Sequence, residues 1–135
     1  MKQIEIKAAI ENLIDTFLYA GKVSIELRKK GLIKEIKEDN TPVSNGDLEV
    51  NRILTEKINN LTPQIPIVSE ETSHNKSKKD LKNFWLIDPI DGTYDYINDL
   101  DEFTLNAGLI INNRAVAGII YAPAKNRLFY SYEKG

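Results

Sequence analysis

Carboxylates occur at three places in this sequence where their neighbours could put them to work. The stretch Trp85-Leu86-Ile87-Asp88-Pro89-Ile90-Asp91-Gly92-Thr93 sets Asp88 at the end of a hydrophobic run, with Asp91 three residues on. A strand end fixes a side chain better than a loop does. Two carboxylates on either side of a tight turn at Pro89 are expected to converge on one cation or to bridge two. Gly92 permits close approach of the backbone, and Thr93 is expected to open a short helix over residues 94–98 whose unpaired N–H groups face a phosphate. Upstream, Val68-Ser69-Glu70-Glu71 brings two more carboxylates to the end of a second apolar run. If the two strands are neighbours, Glu70 meets Asp88 and Asp91 in one acidic cluster. Such a cluster repels itself unless cations neutralise it. All-oxygen ligands suit Mg²⁺, which keeps several waters and binds through a few carboxylates plus substrate phosphate. Taken singly, DPIDG reads as a turn, Glu70-Glu71 as a solvated strand end and Asp47 as a helix-capping carboxylate. Together they read as a site.

Composition narrows the remaining chemistry. The chain has 135 residues, 41% hydrophobic and 28% charged, enough for one domain with a real core. Eighteen Lys and Arg against twenty Asp and Glu leave a net charge of −2, which argues against a nucleic-acid or anionic-membrane binder. There is no cysteine and one histidine, His74. Disulfide scaffolds, thiolate metal sites and cysteine nucleophiles are excluded, and a Ser-His-Asp triad is a poor candidate. His74 and the lysines at positions 76, 78, 79 and 82 read as a solvated basic loop. Glu5, Lys7, Glu11 and Asp15 interrupt any apolar run near Met1, so no targeting or spanning segment is expected and the expected location is the cytoplasm.

The elements that must position these groups follow from periodicity. Ile6, Ile10, Leu13, Ile14, Phe17, Leu18, Gly21 and Ile25 recur at spacings of three and four, predicting a helix over residues 4–30 that stops at Gly31. Residues 32–43 read as a loop or short hairpin. Ser44-Asn45-Gly46-Asp47 has the spacing of a capping box and opens a second helix to residue 60, with Leu48, Ile53, Leu54, Ile58 and Leu61 as its buried side. Short apolar runs at 65–68 and 84–87 predict buried strands. Residues 104–111, 115–121 and 128–132 predict an antiparallel meander, with Asn112-Asn113 as its first tight turn. Helices followed by strands give an α+β fold, two N-terminal helices on a mainly antiparallel sheet. The last strand ends near the end of the chain, so an uncovered edge or face is expected.

The order Asp47, Glu70-Glu71, Asp88-Pro89-Ile90-Asp91-Gly92-Thr93 resembles the signature of the inositol monophosphatase superfamily of Mg²⁺-dependent, lithium-sensitive phosphomonoesterases. The stretches at 37–44, 102–106 and 121–123 make the chain most similar to its 3′(2′),5′-bisphosphate nucleotidase (CysQ-type) branch, and the resemblance runs over essentially the whole chain. It implies the N-terminal lobe of a sugar-phosphatase-like αβαβα fold. It further implies that Glu70, Asp88 and the Ile90 carbonyl ligate a first Mg²⁺, and Asp88 and Asp91 a second. Thr93 with Glu70 would activate the attacking water, the Gly92 and Thr93 amides would hold the phosphate, and Asp47 would stand behind them, paired with Thr93 or a bound water. The implied substrate is a small phosphate ester, 3′-phosphoadenosine 5′-phosphate or an inositol phosphate.

Family members have a C-terminal half that supplies a further aspartate in a Trp-Asp motif and much of the substrate pocket. Trp85 is followed by leucine, so residues 1–135 are expected to be a single N-terminal lobe with the C-terminal lobe absent. Two outcomes stay open, a working phosphatase and a catalytically incomplete lobe that self-associates or pairs with its other half. The apolar surface such a lobe exposes predicts a homo-oligomer. Tyr94-Asp95-Tyr96 departs from the nucleotidase branch, which has a basic and an acidic residue before its aromatic. Tyr94 and Tyr96 are the aromatic residues that follow the phosphate turn directly.

Overall fold

A computed structural model describes residues 1–69 and 81–133. The chain runs α1 (Gln3–Lys30), β1 (Lys34–Ile36), β2 (Pro42–Ser44), α2 (Asn45–Leu61), β3 (Ile67–Ser69), β4 (Phe84–Asp91), α3 (Thr93–Ile97), β5 (Thr104–Ile111), β6 (Arg114–Ala122) and β7 (Arg127–Ser131). The fold is α+β, as expected. β3 to β7 form one sheet in chain order, with β3 parallel to β4 and every other pair antiparallel, while β1 and β2 make a separate hairpin.

Alternation along the strands builds the core. Trp85 and Ile87 of β4, Leu105, Ala107 and Leu109 of β5, and Ala117, Ile119 and Tyr121 of β6 are buried in one cluster with residues of both long helices. α1 contributes Ile6, Ile10, Leu13 and Phe17, and α2 contributes Val50, Leu54 and Ile58. Leu18 and Leu48, expected on the buried stripes, are exposed, and Val50 and Asn51 lie on the inner side of α2 instead. The pair of Asn112 and Asn113, both at positive φ (51° and 65°), makes the tight turn between β5 and β6, the conformation that asparagine tolerates better than most residues.

The other sheet face is uncovered among the described residues. Leu86, Ile120 and Phe129 are exposed there and, with Gly108 and Gly118, line a shallow concavity of about 480 Å³. Among the described residues, no helix is long and apolar enough to cross a membrane.

One strand departs from expectation. The run predicted to end at Ile87 continues to Asp91, with Pro89 inside β4 rather than turning the chain away. The register explains how. Asp88 lies opposite Asn106 and Asp91 opposite Thr104, so β4 spends three steps where β5 spends two. That is a β-bulge, the kind of site where a sheet tolerates a proline that cannot donate to the ladder.

Candidate active site

The bulge decides where the carboxylates go. In a regular strand, residues three apart point to opposite faces. Residues directly opposite on paired strands share a face, and Asn106 and Thr104, two apart, share one too. Asp88 and Asp91, paired with them, are therefore delivered to the same face by the one extra residue. Both line a concavity of about 230 Å³ together with Ile90, Thr93 and Tyr94. Lys37 and Thr41 of the hairpin line it as well. Asp88 also borders the open sheet face.

After Asp91 the chain turns sharply. Gly92 sits at φ 91° and ψ 43°, and a β-carbon there would come within 2.7 Å of the Glu102 carbonyl oxygen. Both the left-handed backbone and the close approach require glycine. α3 then spans Thr93–Ile97, held by Tyr96 N–H donating to the Gly92 carbonyl at 2.9 Å.

Asp47 is fully buried and fully employed. Ser44 is the N-cap of α2, and the capping box closes as its spacing predicts: Oδ2 of Asp47 accepts from the Ser44 amide at 2.9 Å and the Ser44 hydroxyl at 2.5 Å. Oδ1 accepts from the Thr93 hydroxyl at 2.9 Å. That bond joins residues 46 positions apart and ties the start of α2 to the start of α3. The Ile90 carbonyl lies 3.2 Å from the same hydroxyl. A hydroxyl has one proton, and the carboxylate is the stronger acceptor.

Tyr96 locks this corner in place. It is buried, its hydroxyl donates to the Ser24 carbonyl at 2.7 Å, and its ring lies against Gly46, where a β-carbon would fall 2.1 Å from the phenol oxygen. Burial pushes the phenol well above its ordinary pKa, the Asp47 charge adds to that, and the Arg28 guanidinium opposes it. Arg28 reaches from the last turn of α1 over the rings of Tyr96 and Phe103, at 5.7 and 5.0 Å from their centroids. The same guanidinium pairs with Asp99 and Asp101 and donates to the Leu100 carbonyl. In the sequence Arg28 reads only as a cationic helix end, because the loop that it holds lies more than seventy residues away in the chain. On the hairpin, the Thr41 hydroxyl and amide hold the Asp39 carboxyl below its ordinary pKa.

β3 is the strand that leads to Glu70. It pairs in parallel with β4 and brings Ser69 into register with Ile87, next to Asp88. The Ser69 hydroxyl bonds Asn51 of α2 at 2.5 Å, and the indole N–H of Trp85 bonds Thr62 at 3.0 Å, so buried polar pairs anchor both strands to α2 and the turn after it. Glu70, Glu71 and His74 lie outside the described residues. Among the described residues, no group of three or more His, Cys, Asp or Glu side chains is gathered to hold a metal ion. What the described residues bring together is two carboxylates on one sheet face, with the Ile90 carbonyl between them in the chain. Those are hard oxygen donors of the kind that fit Mg²⁺.

The sequence model of the inositol monophosphatase family matches residues 6–135. The chain is 40% identical over 114 residues to the 3′(2′),5′-bisphosphate nucleotidase CysQ of Haemophilus influenzae, across 83% of this chain and 42% of that protein. It is 36% identical over 126 residues to the protein of the same name from Aggregatibacter actinomycetemcomitans, across 92% of this chain and 47% of that one. The chain thus spans less than half the length of these curated relatives. Among solved structures, an IMPase from Thermotoga maritima matches with a TM-score of 0.81 at 25% identity, over 93% of this chain and 48% of that chain.

Proposed function

The chain belongs to the inositol monophosphatase family, and from that premise we propose that it is the N-terminal lobe of a Mg²⁺-dependent phosphomonoesterase of the 3′(2′),5′-bisphosphate nucleotidase type. The reaction proposed is removal of the 3′-phosphate of 3′-phosphoadenosine 5′-phosphate by attack of water. The names of the nucleotidase relatives support the substrate class. The observation that carries the chemistry is the bulge, which puts Asp88 and Asp91 on one face beside Thr93.

In this reading Asp88, Asp91 and the Ile90 carbonyl, with Glu70, hold Mg²⁺. When bound, the ion acidifies water and neutralises charge on the phosphate oxygens. Thr93 commits its proton to Asp47, which leaves the hydroxyl oxygen to accept a hydrogen bond from the attacking water. Bonding to a buried carboxylate polarises that oxygen and strengthens it as an acceptor. Asp47 is a positioning residue, since it acts through Thr93. The Gly92 and Thr93 amides, at the first turn of α3, are the donors proposed for the phosphate oxygens.

The test is phosphate release by the purified chain with and without Mg²⁺, using 3′-phosphoadenosine 5′-phosphate and an inositol phosphate in parallel. Mg²⁺-dependent release is expected, and Asp88→Asn is expected to abolish it. Absence of turnover by the wild-type chain on every ester would sink the activity of this chain.

A second reading rests on the chain's span of 42–47% of the nucleotidase relatives. On it, residues 1–135 are a catalytically incomplete lobe that binds a divalent ion weakly through Glu70 and Asp88 and hydrolyses nothing. Robust turnover would eliminate it. Preference for the inositol phosphate in the same assay would move the specificity to the inositol monophosphatase type.

A further inference from the structure

We propose that Tyr94 is a stacking platform that selects phosphate esters carrying a nucleobase. The inference rests on the phosphatase reading of the site and names what recognises the leaving group. Two aromatic residues of α3 have opposite fates. Tyr96 is fully buried and spends its hydroxyl on Ser24, whereas Tyr94 is 69% exposed and lines the concavity with Asp88, Asp91 and Thr93. A single exposed tyrosine means little by itself. This one lines the same concavity as Thr93, so an ester whose phosphate lies against Thr93 has the tyrosine at the wall of the space its organic part enters.

The backbone beneath the ring is fixed. The Tyr94 carbonyl accepts from both the amide and the side-chain Nδ2 of Asn98, at 3.0 and 2.8 Å, and Tyr96 anchors the helix from its inner side. The ring itself makes no hydrogen bond or ring contact with a described residue, so its face is available to a ligand. A tyrosine side chain has two χ angles to immobilise and offers a large flat area, which makes it an economical contact for a planar group. A nucleobase has such a face, while inositol and glycerol do not. Stacking is tolerant of base identity, so the platform separates nucleotides from other esters more than it separates adenine from guanine.

The test compares adenosine 5′-phosphate, the product of the proposed reaction, with ribose 5-phosphate, the same ester without its base. Neither carries the 3′-phosphate that the reaction removes, so binding to the 135-residue chain in Mg²⁺ can be read by calorimetry. Wild type is expected to bind the nucleotide about tenfold more tightly than the sugar phosphate. Tyr94→Ala is expected to erase that ratio while leaving ribose 5-phosphate affinity unchanged, and Tyr94→Phe to keep it. A ratio that survives in Tyr94→Ala, or that is absent from wild type, overturns the platform and leaves the phosphatase reading standing. Binding of neither ligand by wild type also overturns the platform, while the phosphatase reading stands or falls on Mg²⁺-dependent phosphate release from 3′-phosphoadenosine 5′-phosphate.

Discussion

Asp47 performs two tasks with one carboxylate, closing the cap of α2 through one oxygen and holding Thr93 through the other. Thr93→Val keeps the shape and removes the donor. It is expected to cost about 1–3 kcal/mol of stability, because the buried oxygen loses a partner, and to lower phosphate release by a further kinetic effect measurable as kcat at unchanged folded fraction. Tyr96 offers a pH test. Its pKa is raised in the folded state, so the proton is held more tightly when folded than when unfolded. The associated stability is fully present below the phenol's ordinary pKa near 10 and is lost as pH rises through that value towards the raised one. Thermal melts between pH 8 and 11 are expected to show a steeper alkaline loss for wild type than for Tyr96→Phe. At neutral pH the same variant should be less stable by about 1 kcal/mol, the worth of the Ser24 bond. The capping role of Asp47 was legible in Ser44-Asn45-Gly46-Asp47, because local spacing encodes it. The burial of Tyr96 was not, since nothing near residue 96 says that Ser24 and Gly46 form the other half of its pocket.

Among the elements, helices and the meander are legible because apolar period and turn residues are local signals. The long helix, the second helix, the strand following residue 103 and the Asn112-Asn113 turn all follow from them. The continuation of β4 through Pro89 does not. Proline reads as a terminator, and the bulge that accommodates it exists only in the pairing with β5. The geometry of the site therefore depends on register, which lies beyond any single segment. Gly92→Ala tests how tightly the turn after the bulge is held. It forces a side chain into the left-handed region, and its β-carbon meets backbone rather than a movable side chain. A loss of about 1–2 kcal/mol from the backbone conformation alone is expected, seen as a lower denaturation midpoint, and phosphate release should fall with it. Arg28 shows the same limit in a different form, because its partners at Asp99 and Asp101 are set by how the segment after α3 meets the end of α1.

At the largest scale, one sheet face is left uncovered among the described residues. Phe129, Ile120 and Leu86 expose apolar area around two glycines, and such a face favours association. Sedimentation of the purified chain is expected to show concentration-dependent self-association, reduced by Ile120→Lys, whose added charge makes the face costly to bury. A clean monomer across the micromolar range would contradict this. The bond between Thr93 and Asp47 has a further consequence for how the protein is made. On a ribosome, α1 and α2 emerge well before residue 93 does, and until then Asp47 has only its own cap to bond. Formation of the corner that joins α2 to α3 must wait for residue 93, so a nascent helix pair carries no early version of it. Synthesis arrested before that point would yield two helices in which the Asp47 carboxylate holds only its own cap.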